Sequence, residues 1–311
     1  MKYCSILSIL ILLGVTFSCE KDLDVSLIES KPFNVVYSLF TTDSTWTVDL
    51  TKSAGALESY PQLSEVKDAV VSVYNSEGNR IETLSYVPQS PPYKNYSIRS
   101  NYRGKTSPQA EETYTLKIEL PDGSITTATS QIPQVVPILS VEMDSSHYAS
   151  KKDVEMILTF TDPKETKNFY QLMILRKRTL VNYIYAPKSV PTIIDSTYTY
   201  TEDIFQFFSI DLTDEIRHGT VFTDQTFNGK KNTWRFAIGR PGGYNVNKRN
   251  PNPIRVVLMS VPESYYNYFS AATLAVENKG NPLAQPVQIP TNVENGLGLF
   301  AGYATSEVKL N

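Results

Sequence analysis

The side chains that could do chemistry in this 311-residue chain are few: two histidines, two cysteines and some carboxylates close in sequence. His147 follows Asp144-Ser145-Ser146, and His218 stands between Arg217 and Gly219. These contexts read as a loop and a turn. A zinc site draws three or four nitrogen and sulfur ligands, and a Ser-His-Asp triad needs a histidine held between nucleophile and carboxylate. Two distant histidines without a cysteine partner offer neither, so both read as solvated side chains and no metal ligand set is legible. Asp211, Asp214 and Glu215 could pair as glycosidase carboxylates. The run Asp211-Leu212-Thr213-Asp214-Glu215 reads equally as the acidic first turn of a helix, and it lacks the glycine and ligand spacing of an EF-hand loop. Gly239-Arg240-Pro241-Gly242-Gly243 carries no lysine and hydroxyl residue in phosphate-loop order and reads as a turn. No catalytic constellation and no cofactor motif emerge, and the expectation is a non-catalytic protein.

Aromatic side chains are the other chemical resource, with 20 Tyr and 13 Phe. Exposed tyrosines form platforms for sugars or anchors in peptide grooves. Tyr93 and Tyr96 beside Pro91-Pro92, together with Tyr183 and Tyr185, are the candidates for ligand contact. Most of the remaining rings must fill cores.

The cysteines belong to an export signal. Lys2, the apolar run Ile9-Leu10-Ile11-Leu12-Leu13 and the small residues Gly14 and Ser18 lead to Thr16-Phe17-Ser18-Cys19. The apolar run is shorter than the roughly 20 residues a spanning helix needs. A cysteine directly behind it resembles the lipobox of bacterial lipoproteins, in which the thiol takes a diacylglyceryl group and the chain is cut just before it. Residues 1–18 are thus read as a lipoprotein signal peptide and Cys19 as the lipidated residue. Cys4 leaves with the signal, so the mature chain has no second thiol for a disulfide, and acylation caps an otherwise reactive one.

The elements that must position any site are strands. Residues 19–31 form a polar tether, and from Pro32 the apolar residues alternate. Phe33, Val35, Tyr37 and Leu39 share one face, and Trp46 to Leu50 is expected to pair nearby. Ala69–Tyr74 and Arg80–Tyr86 flank a turn signal at 75–79. In Thr113–Leu120, Tyr114, Leu116, Ile118 and Leu120 point one way and polar residues the other, before Pro121-Asp122-Gly123-Ser124 turns the chain. The expected architecture is mainly all-β, with two β-sandwich domains. The first, 32–133, is immunoglobulin-like or transthyretin-like; the second, 138–311, is β-rich. Ile132–Pro137 is the joint, stiffened by two prolines. The second half offers strands at Val154–Phe160, Phe169–Leu175, Trp234–Ile238 and Ile254–Met259. Between Leu180 and Phe222 the pattern is weak and reads as long loops or an insertion. One C-terminal helix is expected near 261–277: Ser260 and Glu263 have capping-box spacing, Tyr265, Tyr268, Phe269, Ala272 and Val276 recur at helical intervals, and Lys279-Gly280 gives a stop.

Three segments carry a family resemblance: Cys19-Glu20-Lys21 ahead of a β domain, the stretch FTDQTFNGK at 222–230, and the tail. The tail couples Tyr265, Tyr266 and Tyr268 to Pro282, Pro286 and NVENGLGLF at 292–300. Together they resemble the Bacteroidota lipoprotein family catalogued as domain of unknown function 4249. The resemblance implies an outer-membrane lipoprotein, encoded near TonB-dependent receptors, with no assigned chemistry. Lys21-Asp22 resembles the charged signal that sends such lipoproteins to the cell surface, although Leu23 interrupts the acidic run. Read as structure, Asn228-Gly229 predicts a type I′ hairpin turn, and Gly296 and Gly298 predict positive φ or close backbone approach.

With 29 Lys+Arg against 32 Asp+Glu, and no basic stripe, nucleic acid is not an expected partner. The leading expectation is an accessory protein on the outer membrane, lipid-anchored and facing the cell exterior. It would bind substrate or partner beside a TonB-dependent transporter. The alternatives are a structural or adhesive surface protein and a hydrolase with an unrecognised site.

Overall fold

A computed structural model describes residues 32–53, 64–88, 101–144, 153–184, 192–202, 208–209, 221–239, 254–281 and 283–310. At 144, 153–154, 176–184, 192–202, 208–209 and 237–239 only the backbone is described. The chain is mainly β. Its first strands are β1 (Asn34–Phe40), β2 (Thr47–Lys52), β3 (Ser64–Glu65), β4 (Val70–Asn75), β5 (Arg80–Tyr86), β6 (Tyr102–Arg103), β7 (Thr113–Glu119) and β8 (Ile125–Gln131). Then come β9 (Ile138–Asp144), β10 (Asp153–Thr161), β11 (Phe169–Ile184), β12 (Thr192–Glu202), β13 (Phe208–Ser209), β14 (Val221–Thr223), β15 (Lys231–Gly239) and β16 (Ile254–Val261). Helix α1 (Glu263–Glu277), β17 (Val293–Glu294), β18 (Leu297–Gly302) and β19 (Ala304–Leu310) complete the described elements.

Strict alternation makes the first sheet. In β7 the burial pattern repeats every second residue, with Tyr114, Leu116 and Ile118 turned inward and threonines outward. The expected hairpins β4–β5 and β7–β8 and the β1–β2 pair all form, in antiparallel register. The ten strands run β17-β8-β7-β4-β5-β6-β2-β1-β18, with β3 beside β2, around one core that includes Val36, Phe40, Trp46, Leu116 and Phe300. The two end strands of this order, β17 and β18, are neighbours in sequence. The tail at 293–302 therefore covers the free edges of β8 and β1 together, pairing antiparallel with one and parallel with the other. The first sheet thus draws residues from both sides of the Ile132–Pro137 joint. A single cut there does not separate the two bodies, because the edges left by 32–131 are paired from the far end of the chain.

The second body has two sheets, β13-β15-β10-β9 and β12-β11-β16-β19, with β14 also on β11. Met156, Leu158, Phe160, Leu172, Ile174, Val256 and Leu258 fill the space between them. The opposite face of the β11–β16 sheet carries Met173, Val257, Met259 and Val261, which pack against α1 and the outer side of β1 and β18. Both faces of β1 are consequently covered. Val36 and Phe40 enter the first core, while Tyr37 and Leu39, expected to share one face, point to the second body.

Three local expectations need correction. The 180–222 region is not all loop: β11 continues to Ile184 and pairs with β12 in a long antiparallel hairpin. Its backbone ladder holds even where apolar alternation fades. Ser260 does not cap α1. It lies in β16, its hydroxyl buried without a partner among the described residues, while Pro262 is the N-cap with no side-chain bond. Glu263, lacking a capping partner, pairs with Lys167 at 2.9 Å. Finally, Asn228-Gly229 is not a type I′ turn. Gly229 has φ +70°, but Asn228 is not among the positive-φ residues, and a I′ turn requires both. The strands it joins lie in different sheets, β14 on β11 and β15 on β10.

Candidate functional site

The FTDQTFNGK stretch contributes to a buried polar clasp rather than an open site. Asp162, just after β10, and Asp224, just after β14, are each 2% exposed. The Asp162 carboxylate accepts the Tyr170 hydroxyl at 2.5 Å, the Gly229 N–H at 2.8 Å and the Asn168 amide at 3.3 Å. The Asp224 carboxylate accepts the Asn168 N–H at 2.8 Å, and its own N–H donates to the Asn168 carbonyl at 3.1 Å. Burial pushes the Asp162 carboxyl above its ordinary range while these donors oppose that rise. The Tyr170 phenol moves up too, first through burial and then through Asp162. Two buried carboxylates, Asp162 bonded through both oxygens and Asp224 through Oδ2, tie the 162–168 turn to the 224–230 turn. That is a structural role.

One open feature is a cleft of about 600 Å³ between the two bodies, within the range of small-ligand sites. Strand β1 presents Tyr37 and Leu39 to it; β11 and β16 present Met173 and Met259; α1 presents Tyr265 and Phe269. Tyr303, at the bend where the tail passes from β18 to β19, closes one side, its N–H bonded to the Phe40 carbonyl at 2.9 Å. The helical spacing read in the sequence puts Tyr265 and Phe269 on one face, with rings 4.4 Å apart. Tyr265 is further fixed by donating to the Gln171 side chain. The pliable thioethers of Met173 and Met259 let such a wall adapt.

Two sets of polar groups stand out in a lining that also includes Thr41, Ser44, Gln171 and Thr305. Arg255 of β16 reaches diagonally to Glu307 of β19, which stands opposite Val257, and bonds both carboxylate oxygens, Nε to Oε1 at 2.6 Å. This fork holds the Glu307 carboxyl below its usual range and ties up its charge. The second set is phenolic. The hydroxyls of Tyr37 and Tyr303, which line the cleft, and of Tyr268, which does not, have no hydrogen-bond partner among the described residues. Burial pushes the Tyr37 phenol up to about 12, with Tyr268 and Tyr303 adding to the rise. Burial also raises Tyr303, helped by Asp43 at the cleft margin, and raises Tyr268. All three stay protonated across the physiological range, each able to donate and to accept.

Cys19, Lys21, Asp22, Tyr93, Tyr96, Tyr185, His147, His218, Asp211, Asp214 and Glu215 lie outside the described residues. Tyr183 is placed by its backbone only, opposite Ile193 in the β11–β12 ladder. Tyr37 and Tyr303 escaped notice because alternation gave Tyr37 a face without saying what covers it, and Tyr303 directly follows a glycine-rich strand. Only the meeting of the two bodies shows what they face.

These features define a layered, mainly β protein with an aromatic cleft between its bodies. The chain belongs to the family described as Domain of unknown function (DUF4249), whose profile matches residues 20–309. No curated protein matches it in sequence. Among solved structures it is similar to a Salmonella alpha-2-macroglobulin mutant, at 9% identity and a TM-score of 0.23, over 89% of this chain and 15% of that one. The chain thus spans well under two thirds of that protein's length, and so low a score carries no argument about function.

Proposed function

We propose that this protein is anchored by a lipid on Cys19 to the outer membrane, faces the cell exterior, and works by binding. Its partner in this reading is a TonB-dependent transporter, beside which it holds a substrate or the receptor itself. The observation that carries the proposal is the inter-body cleft, whose rings and free hydroxyls suit recognition while its arginine and one glutamate neutralise each other. The lipobox-like Phe17-Ser18-Cys19 supports the anchor. Confinement to one membrane plane raises effective concentration, so a modest interface is occupied without strong soluble affinity. One acyl chain binds marginally and two or more bind stably.

Two experiments test it. Cys19→Ala should abolish detergent-phase partitioning and sedimentation with membranes; a free Cys19 thiol in the mature chain, or cleavage elsewhere, overturns the anchor. Cross-linking in intact outer membranes should recover a large β-barrel receptor, with lower yield when the anchor is removed. Recovery of no barrel, with growth unaffected by deletion, favours a structural surface protein instead.

A further inference from the structure

Ligand chemistry is constrained by what the cleft leaves unsatisfied. Tyr37 on β1 and Tyr303 at the bend between β18 and β19 both line it, and their hydroxyls meet no partner among the described residues. A buried or half-buried hydroxyl gains from a ligand that supplies hydrogen bonds and loses from one that does not. An alkyl chain would cover these groups, Asp43 and the Arg255–Glu307 fork without bonding any of them. An anion meets two carboxylates against one arginine already engaged by Glu307. A peptide adding itself as a strand needs a free edge, yet β1 is flanked by β2 and β18, and β16 by β11 and β19, while β19, the edge of its sheet, already has β9 against it, with the Ile138 N–H on the Ser306 hydroxyl at 2.8 Å. What remains is a neutral molecule with hydroxyls around its rim and apolar C–H faces for the rings of Tyr37, Tyr303 and Phe269.

We propose that the cleft between the two bodies binds a neutral oligosaccharide, with Tyr37 and Tyr303 as paired stacking and hydrogen-bonding contacts and Asp43 as an acceptor at its margin. The inference rests on the binding-protein reading above and names its ligand class. One ring from β1 and one from the bend between the bodies would grip one sugar unit, so binding should also stiffen the junction at Tyr303.

The test uses the mature lipoprotein in a detergent without a sugar headgroup. Short neutral oligosaccharides of glucose, mannose and xylose are titrated by calorimetry, beside uronic-acid oligosaccharides and short uncharged peptides. At least one neutral sugar should bind. Tyr303→Phe should weaken it about three- to tenfold while the protein's melting temperature holds, since one hydroxyl bond is lost and the ring remains. Tyr303→Ala should weaken it further, and Asp43→Asn should reduce affinity without altering the fold. Absence of binding by every neutral sugar overturns the proposal, as does binding indifferent to Tyr303 and Asp43. Preferential peptide binding that Tyr303→Ala removes would overturn the sugar assignment while leaving the cleft a binding site. Failure of the receptor cross-link, with sugar binding intact, would overturn only the transporter link.

Discussion

Gly298 lies against the main chain of Val36, its partner in the parallel ladder between β18 and β1, so closely that a methyl group there would sit 1.9 Å from the Val36 carbonyl oxygen. Its φ of +111° is also one that residues with a side chain rarely adopt. The glycine thus marks where a tail strand is pressed onto the first strand of the chain, more than 250 residues earlier in sequence.

Gly298→Ala should cost on the order of 3 kcal/mol or more, because backbone strain and a backbone clash add. Gly78→Ala is the control. Its φ is +81° but nothing lies within 4 Å, so about 1 kcal/mol is expected. Urea unfolding of both variants checks the contrast; equal effects would mean the β1–β18 contact is not tight.

Removing the tail should be worse than any point change. A chain ending at Asn281 leaves β1 and β8 with unpaired edges that pair with other chains. Size-exclusion chromatography should show loss of the monomer peak and growth of aggregate. A monomeric truncated protein with its β spectrum intact would show that the first sheet closes without the tail.

In the clasp, Tyr170→Phe removes one bond to Asp162 and should cost about 1–2 kcal/mol. Asp162→Ala strands the Tyr170 hydroxyl, the Gly229 N–H and one amide bond of Asn168, and about 3 kcal/mol is expected. The double variant should cost less than the sum, because both changes delete the same 2.5 Å bond. Strict additivity in a denaturation cycle would contradict the clasp.

Asp49 stands opposite Tyr37 in the β1–β2 ladder, where burial, and then Glu65, pushes its carboxyl from 3.8 up to about 6. The folded protein therefore holds that proton more tightly than the unfolded one. The resulting stabilisation is complete below pH 3.8, fades as pH rises through about 6, and is gone above. Asp49→Asn should raise neutral-pH stability by on the order of 1–2 kcal/mol after allowing for solvent screening, with no such gain in acid. A gain that is the same at both ends of this window would remove the assignment to Asp49.

The period-two alternation of Thr113–Leu120, the hairpin turn at 75–79, the paired Trp46–Leu50 segment and the tyrosine-spaced helix were all legible in the sequence. Each is set by neighbours a few residues away, through side-chain alternation, turn chemistry and helical spacing. The glycines of the tail were legible for the same reason, as positions that tolerate close approach. Three-dimensional contact decided the rest. Nothing local to Leu297–Gly302 says that it pairs in parallel with Asn34–Phe40, and nothing local to Ser260 says that a strand continues through a plausible helix cap. Alternation assigns Tyr37 a face but does not say that a second body covers it. Tyr37 and Tyr303 come together only because the tail crosses from one sheet to the other at Gly302-Tyr303. Hydrophobic burial fixes each strand's inward face from sequence alone. Which distant edge it seals, and which rings then line the space between bodies, depends on contacts made only once the chain has folded.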